Sequence, residues 1–203
     1  LEETDYVCRY LRGGGDAEEF LEKFDLATSP GFDPDEHLAK VGVANQTTML
    51  KSETEEIQRR IREALVARDG DDTNYRVFDT ICGATQERQD ALFDMLKKPM
   101  DVLLVVGGYN SSNTSHLVEI GEEELPTYFI KDASCLDSMD AIAHFDLHTQ
   151  AETTSDYPTG LLSKDDITVG ITAGASCPAN LIEATILRIF EMRGVSADRV
   201  RAA

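Results

Sequence analysis

Three apolar, strand-like runs in this chain each break into a short polar loop that opens a helix-like run, and this alternation restricts the fold more than any other feature. The breaks are Phe78-Asp79-Thr80-Ile81-Cys82, Val105-Val106-Gly107-Gly108-Tyr109-Asn110-Ser111-Ser112-Asn113 and Val169-Gly170-Ile171-Thr172-Ala173-Gly174-Ala175-Ser176. Strands that alternate with helices through short loops give an α/β fold, with mainly parallel sheets flanked by helices. In open α/β sheets, ligands bind at the carboxyl ends of the strands, where these loops fall. A thiol, several hydroxyls and an amide are therefore expected along one sheet edge.

Before those breaks, Leu1 to Leu11 reads as the end of an element. Asp16 caps a helix over 17–27, which Pro30-Gly31 and Asp33-Pro34-Asp35 then break. Residues 38–44 read as a strand. Ser52 with Glu55 forms a capping box for a helix whose Ile57, Ile61 and Leu65 recur at i+4. The polar run Gly70-Asp71-Asp72-Thr73-Asn74 sets a domain boundary, giving parts 1–74 and 75–203. In the second part, strands are expected over 75–81, 102–106, 127–130 and 167–172. Helices are expected over 86–96, with Ala91, Leu92, Met95 and Leu96 inward, around 115–120, and over 178–193. Pro178 suits the first turn of the last helix and Gly194 its C-terminal cap. Residues 146–165, apart from Leu161-Leu162, read as irregular.

The formal charge of −19, from 38 acidic and 19 basic residues, argues against nucleic acid or an anionic membrane as partner. An anionic ligand would need backbone N–H groups and hydroxyls to hold it against that field. No apolar run approaches the length of a membrane span. The chain begins at Leu1 rather than Met, so a missing leader carries no information. Four cysteines (Cys8, Cys82, Cys135, Cys177) without a C-x-x-C pair suit reduced thiols rather than a disulfide scaffold or zinc ribbon. His37, His116, His144 and His148 show no metal-ligand spacing. Glu122-Glu123-Glu124 reads as a solvated turn.

Asn110-Ser111-Ser112-Asn113 is the leading site candidate. The preceding glycines let the backbone approach a ligand, and adjacent hydroxyls, an amide and helix-start N–H groups can hold phosphate oxygens. N-capping needs only one such residue, so four in a row exceed what capping requires. Gly174-Ala175-Ser176 repeats the device, with Ser176 sufficient as an N-cap. Gln46-Thr47-Thr48 reads first as a strand-end turn and second as a ligand contact. Cys82 has two readings: an exposed thiol at a helix start that binds soft metal or acts as a nucleophile, or a small buried apolar residue. Cys8, Cys135 and Cys177 take the structural reading, and His116 reads as packing or surface.

At these residues the chain resembles the LytB family, the 4-hydroxy-3-methylbut-2-enyl diphosphate reductases of isoprenoid biosynthesis. The matching segments are Asn45-Gln46-Thr47-Thr48, Asp79 to Ala91, Val105 to Asn113 and Val169 to Ser176, in family order. The Glu87-Arg88-Gln89-Asp90 wording and the run Ser111-Ser112-Asn113-Thr114-Ser115-His116 are most similar to the plant and cyanobacterial branch. The resemblance implies one and a half of three similar α/β domains: 1–74 as the end of the second and 75–203 as the whole third. It implies a 4Fe–4S iron–sulfur cluster with three cysteine ligands, of which Cys82 is the last. It further implies that Ser111, Ser112, Asn113 and Ser176 bind the diphosphate of the substrate and that Thr47 acts at the reacting hydroxyl. The implied reaction is reductive loss of water, with two electrons and two protons, giving isopentenyl and dimethylallyl diphosphates. The electron donor would be a ferredoxin or flavodoxin, with Lys97 and Lys98 as the weakest of docking candidates. The setting would be a bacterial cytoplasm or a plastid stroma.

No position matches the other two cluster cysteines, the substrate-facing histidines or the proton-delivering glutamate of the family. These 203 residues alone are therefore expected to be an inactive fragment. The alternative is a non-redox α/β module that binds a phosphorylated small molecule and leaves Cys82 structural. A thiol-nucleophile enzyme ranks last, because no motif supplies a histidine base near Cys82.

Overall fold

The computed structural model describes residues 1–158, 161 and 164–202, and within them the chain divides into two compact units, Leu1–Ile81 and Cys82–Ala203. The division follows Ile81 rather than the polar run at 70–74. Tyr75–Phe78 (β2) pairs in parallel with Val41–Ala44 (β1), which holds it in the first unit.

In the first unit, Glu2–Leu11 (α1) packs against Lys51–Asp69 (α4). Cys8, Leu11, Ala64, Leu65 and Tyr75 form the buried core, with Val41, Val43 and Ile61 against it. Arg60 braces the helix pair, reaching Glu56 on its own helix at 2.6 Å and Asp5 on α1 at 2.7 Å. Asp16 caps Ala17–Lys23 (α2) through Glu18 N–H, as expected, and the helix ends earlier than 27. Asp33 caps the short Pro34–His37 (α3), so the expected break is itself a helical turn. The capping box is not formed: Leu50 is the N-cap of α4 and makes no side-chain cap bond, which places Ser52 inside the helix.

The second unit carries a five-stranded sheet in the order β6-β5-β4-β3-β7. Val102–Val106 (β3) lies between Thr127–Ile130 (β4) and Val169–Ala173 (β7), parallel to both. Ala141–Asp146 (β5) and Ala151–Asp156 (β6) add an antiparallel hairpin beyond β4. That hairpin corrects the expectation of irregular chain over 146–165; Leu162, named in the same reading, lies outside the described residues. The sheet is mixed, with a parallel centre, and β3 is buried at all five positions as a central strand covered on both faces.

Alternate residues of β3 face opposite layers. Val102, Leu104 and Val106 join the core that receives Leu181, Ile182 and Ile189 of Ala179–Met192 (α7). Leu103 faces Ser112–Glu122 (α6) so closely that a Cβ on Gly121 would stand 2.5 Å from it. Gly83–Leu96 (α5) buries Thr85, Gln89 and Leu92, whereas Ala91, expected inward, is exposed. α7 ends where expected, with Gly194 at φ 73°, and Ala197–Arg201 (α8) follows.

Candidate functional site

The carboxyl ends of β3 and β7 lie side by side, Val106 opposite Ala173, and the helices that follow them cover opposite faces. This is the topological switch point where an open α/β sheet forms a crevice. Its two loops are joined by the backbone: Gly174 N–H donates to the Val106 carbonyl at 3.1 Å. Tyr109 anchors the first loop from beneath, stacked on Phe145 with centroids 4.9 Å apart. The Tyr109 hydroxyl lies 3.7 Å from the Cys135 sulfur, and burial together with that contact pushes its pKa up.

Ser111 is the N-cap of α6 and its hydroxyl accepts the Thr114 N–H at 3.3 Å. Ser112 is exposed at the first turn, and Ser176 is exposed on the neighbouring loop. Asn113 joins the two loops. Its Oδ1 accepts the Ala175 N–H at 2.8 Å, while its Nδ2 is buried with no hydrogen-bond partner. Asn113 is only 5% exposed, so this donor is out of reach of bulk water. A buried donor left unpaired costs about 1–3 kcal/mol, which is the signature of a group awaiting a ligand or an ordered water. The loops carrying Ser111, Ser112, Asn113 and Ser176 thus meet at one edge and present hydroxyl and amide donors, whereas the expected thiol is not on that edge: Cys82 follows β2, a strand of the separate two-stranded sheet.

Thr114, which the sequence did not single out, is the closest-packed residue here. It is 1% exposed, and a Cβ on Gly174 would stand 2.1 Å from its Oγ1 and one on Gly107 2.7 Å. Both glycines are therefore required by close approach, not by a positive φ. The available signal was a threonine three residues after an N-cap serine, but its partner Gly174 is far off in sequence.

Cys82 is the N-cap of α5, makes no side-chain cap bond and is an exposed free thiol, which removes the buried-apolar reading. Cys8 and Cys135 are buried, as expected of structural thiols. Cys177 is half-buried, and burial pushes its thiol pKa up, with Arg88 opposing. Among the described residues no three His, Cys, Asp or Glu side chains come together as a metal site. Cys82 fits one ligand of a soft-metal centre and no more. His116 is paired with Glu119 at 2.8 Å on the surface of α6.

In the first unit, Thr47 is exposed in the turn after β1. The loop is tied to the end of β2 by Thr80, whose hydroxyl accepts the Asn45 N–H at 2.9 Å and donates to the Asn45 carbonyl. Lys97 is paired with Asp94 at 2.6 Å.

The family model described as LytB protein matches residues 11–190. The chain is 47% identical over its full length to 49% of the 4-hydroxy-3-methylbut-2-enyl diphosphate reductase of Gloeobacter violaceus. It is 42% identical over 97% of its length to 40% of the chloroplastic 4-hydroxy-3-methylbut-2-enyl diphosphate reductase of Botryococcus braunii. Its fold is shared with a solved structure of the E-1-hydroxy-2-methyl-but-2-enyl-4-diphosphate reductase from Plasmodium falciparum, at 20% identity and a TM-score of 0.51, covering 82% of this chain and 42% of that one. The chain spans about half the length of the curated relatives it matches. With the family model covering most of its residues, this chain belongs to the LytB family.

Proposed function

We propose that this chain is the substrate-anchoring part of an iron–sulfur reductase that converts 4-hydroxy-3-methylbut-2-enyl diphosphate to isopentenyl and dimethylallyl diphosphates. The observation that carries the reading is Asn113: a buried amide NH2 without a partner, held between two loops of donors. A diphosphate accepts hydrogen bonds and offers none, so a crevice of neutral donors matches it. Such donors would also let a chain of charge −19 hold an anion, since preorganised dipoles need no basic patch.

In this reading Ser111, Ser112, Asn113 and Ser176 hold the diphosphate, and Thr47 orients the allylic hydroxyl or relays a proton to it. Cys82 gives one thiolate to a 4Fe–4S cluster, and parts of the enzyme beyond these residues give the other two. When bound, such a cluster supplies electrons and an open, Lewis-acidic iron. Residues 82–203 serve as the family's third α/β domain and 1–81 as the end of its second. Electrons come from a ferredoxin or flavodoxin, in a bacterial cytoplasm or a plastid stroma. No helix among the described residues is long and apolar enough to cross a membrane.

The test is Cys82→Ala in the full-length protein. Loss of both the visible absorbance of the iron–sulfur centre and the reductase activity is expected. Retention of both sinks the proposal. Pyrophosphate binding by an iron-free protein that is indifferent to Cys82→Ala would favour a non-redox module that binds a phosphorylated small molecule.

A further inference from the structure

We propose that Thr114 is a positioning residue that holds the Ser111 hydroxyl as a donor facing the anion. The inference rests on the anion-binding reading above and assigns a role to a residue with no direct place in it. A serine hydroxyl has one proton to give and two lone pairs to receive. Ser111 Oγ receives the Thr114 N–H at 3.3 Å and the Thr114 hydroxyl at 2.9 Å. Both acceptor positions are thereby filled from the helix side, and the remaining capacity of Ser111 is its own proton.

The behaviour of Thr114 is unusual for its place. A hydroxyl in the first turn commonly turns back to a carbonyl one turn earlier. Its neighbour Ser115 does this, donating to the Ser111 carbonyl at 3.3 Å. Thr114 instead spends its proton on the Ser111 side chain. Its side chain packs directly on both loops: a Cβ on Gly174 would meet its Oγ1, and one on Gly107 would stand 2.7 Å from Oγ1 and 2.9 Å from Cγ2. The fit of Thr114 against both loops thus sets the polarity of a hydroxyl that is itself only half-buried. With Asn113 oriented by Ala175, the first loop offers donors of fixed direction.

The experiment measures the dissociation constant of inorganic pyrophosphate, and the KM for the diphosphate substrate, in the full-length protein. Thr114→Ala and Thr114→Ser both lose the methyl group, so their difference reports the hydroxyl alone. Thr114→Ala is expected to weaken pyrophosphate binding about tenfold, and Thr114→Ser to restore it to within about threefold of wild type. Because Thr114 acts through Ser111, the double variant Ser111→Ala/Thr114→Ala should bind no worse than Ser111→Ala. If Ser111→Ala weakens binding while Thr114→Ala and Thr114→Ser bind alike, the positioning role is overturned and the anion site stands. If Ser111→Ala binds pyrophosphate as wild type does, the anion-site reading falls, and the role of Thr114 falls with it.

Discussion

Asn113 accepts the Ala175 N–H at 2.8 Å, and this bond decides which way the Asn113 amide faces. A backbone N–H can only donate, so Oδ1 must face Ala175 and the NH2 must face away from it. Asn113→Asp keeps the acceptor for Ala175 and replaces the donor by a carboxylate oxygen. Pyrophosphate affinity of the full-length protein should fall by about a hundredfold. Wild-type affinity in calorimetric titration would contradict the assignment of this amide to an anion.

Gly174 is the second point of sensitivity. Gly174→Ala drives a methyl group to within 2.1 Å of Thr114 Oγ1, between two pieces of chain that cannot both yield. The expected loss of stability is about 1–3 kcal/mol, in the range of overpacked cores. Equilibrium denaturation measures it, and an unchanged midpoint would mean that the β7 loop is free to shift.

Thr80 makes two bonds to the backbone of one residue, Asn45. Thr80→Val removes both and leaves a part-buried N–H and carbonyl unpaired, for an expected loss of about 1–3 kcal/mol. Thr80→Ser should retain most of that stability. Hydrogen exchange at the Asn45 amide should accelerate in Thr80→Val, and the same exchange rate in both variants would show that the clip does not hold the loop.

Glu56 predicts an acid-sensitive brace in the first unit. Hydrogen bonds from Arg59 and Arg60 hold its carboxyl down at about 2 from an ordinary 4.5. A depressed carboxylate contributes stability above its unfolded pKa and loses it as pH falls through the folded one. The contribution should be complete above about 4.5 and fade between about 4.5 and 2. The pair is solvent-exposed, so the effect is small and weakened by salt. Thermal midpoints of wild type and Glu56→Gln should converge across that window, and a constant difference between them would remove Glu56 as the cause.

Where apolar pattern and burial coincide, the elements are readable from the residues. β3 and β4 occupy the expected positions because Val102-Leu103-Leu104-Val105-Val106 and Thr127-Tyr128-Phe129-Ile130 are buried throughout. The β5–β6 hairpin was hidden for the opposite reason. Its outer strand, with Glu152, Thr153, Thr154 and Ser155, lies at the sheet edge, mostly exposed, and carries no apolar face to betray it. Tyr75–Phe78 was recognisable as a strand, but its unit is set by β1, a partner that local pattern does not reveal. At the crevice, the loops were legible from their hydroxyls and glycines. Thr114 and Thr80 were not, because each acts through a neighbour chosen by the fold.

The two halves of the crevice are remote in the chain: Asn113 and its partner Ala175 are 62 residues apart. Pairing across such a distance is slow, because the intervening chain must be ordered before the contact rewards it. On the ribosome, therefore, α6 and the hairpin can form while the proposed anion site is still absent, and it is completed only after β7 has emerged and inserted beside β3. A nascent chain stalled before Val169 should be folded in part, yet blind to pyrophosphate.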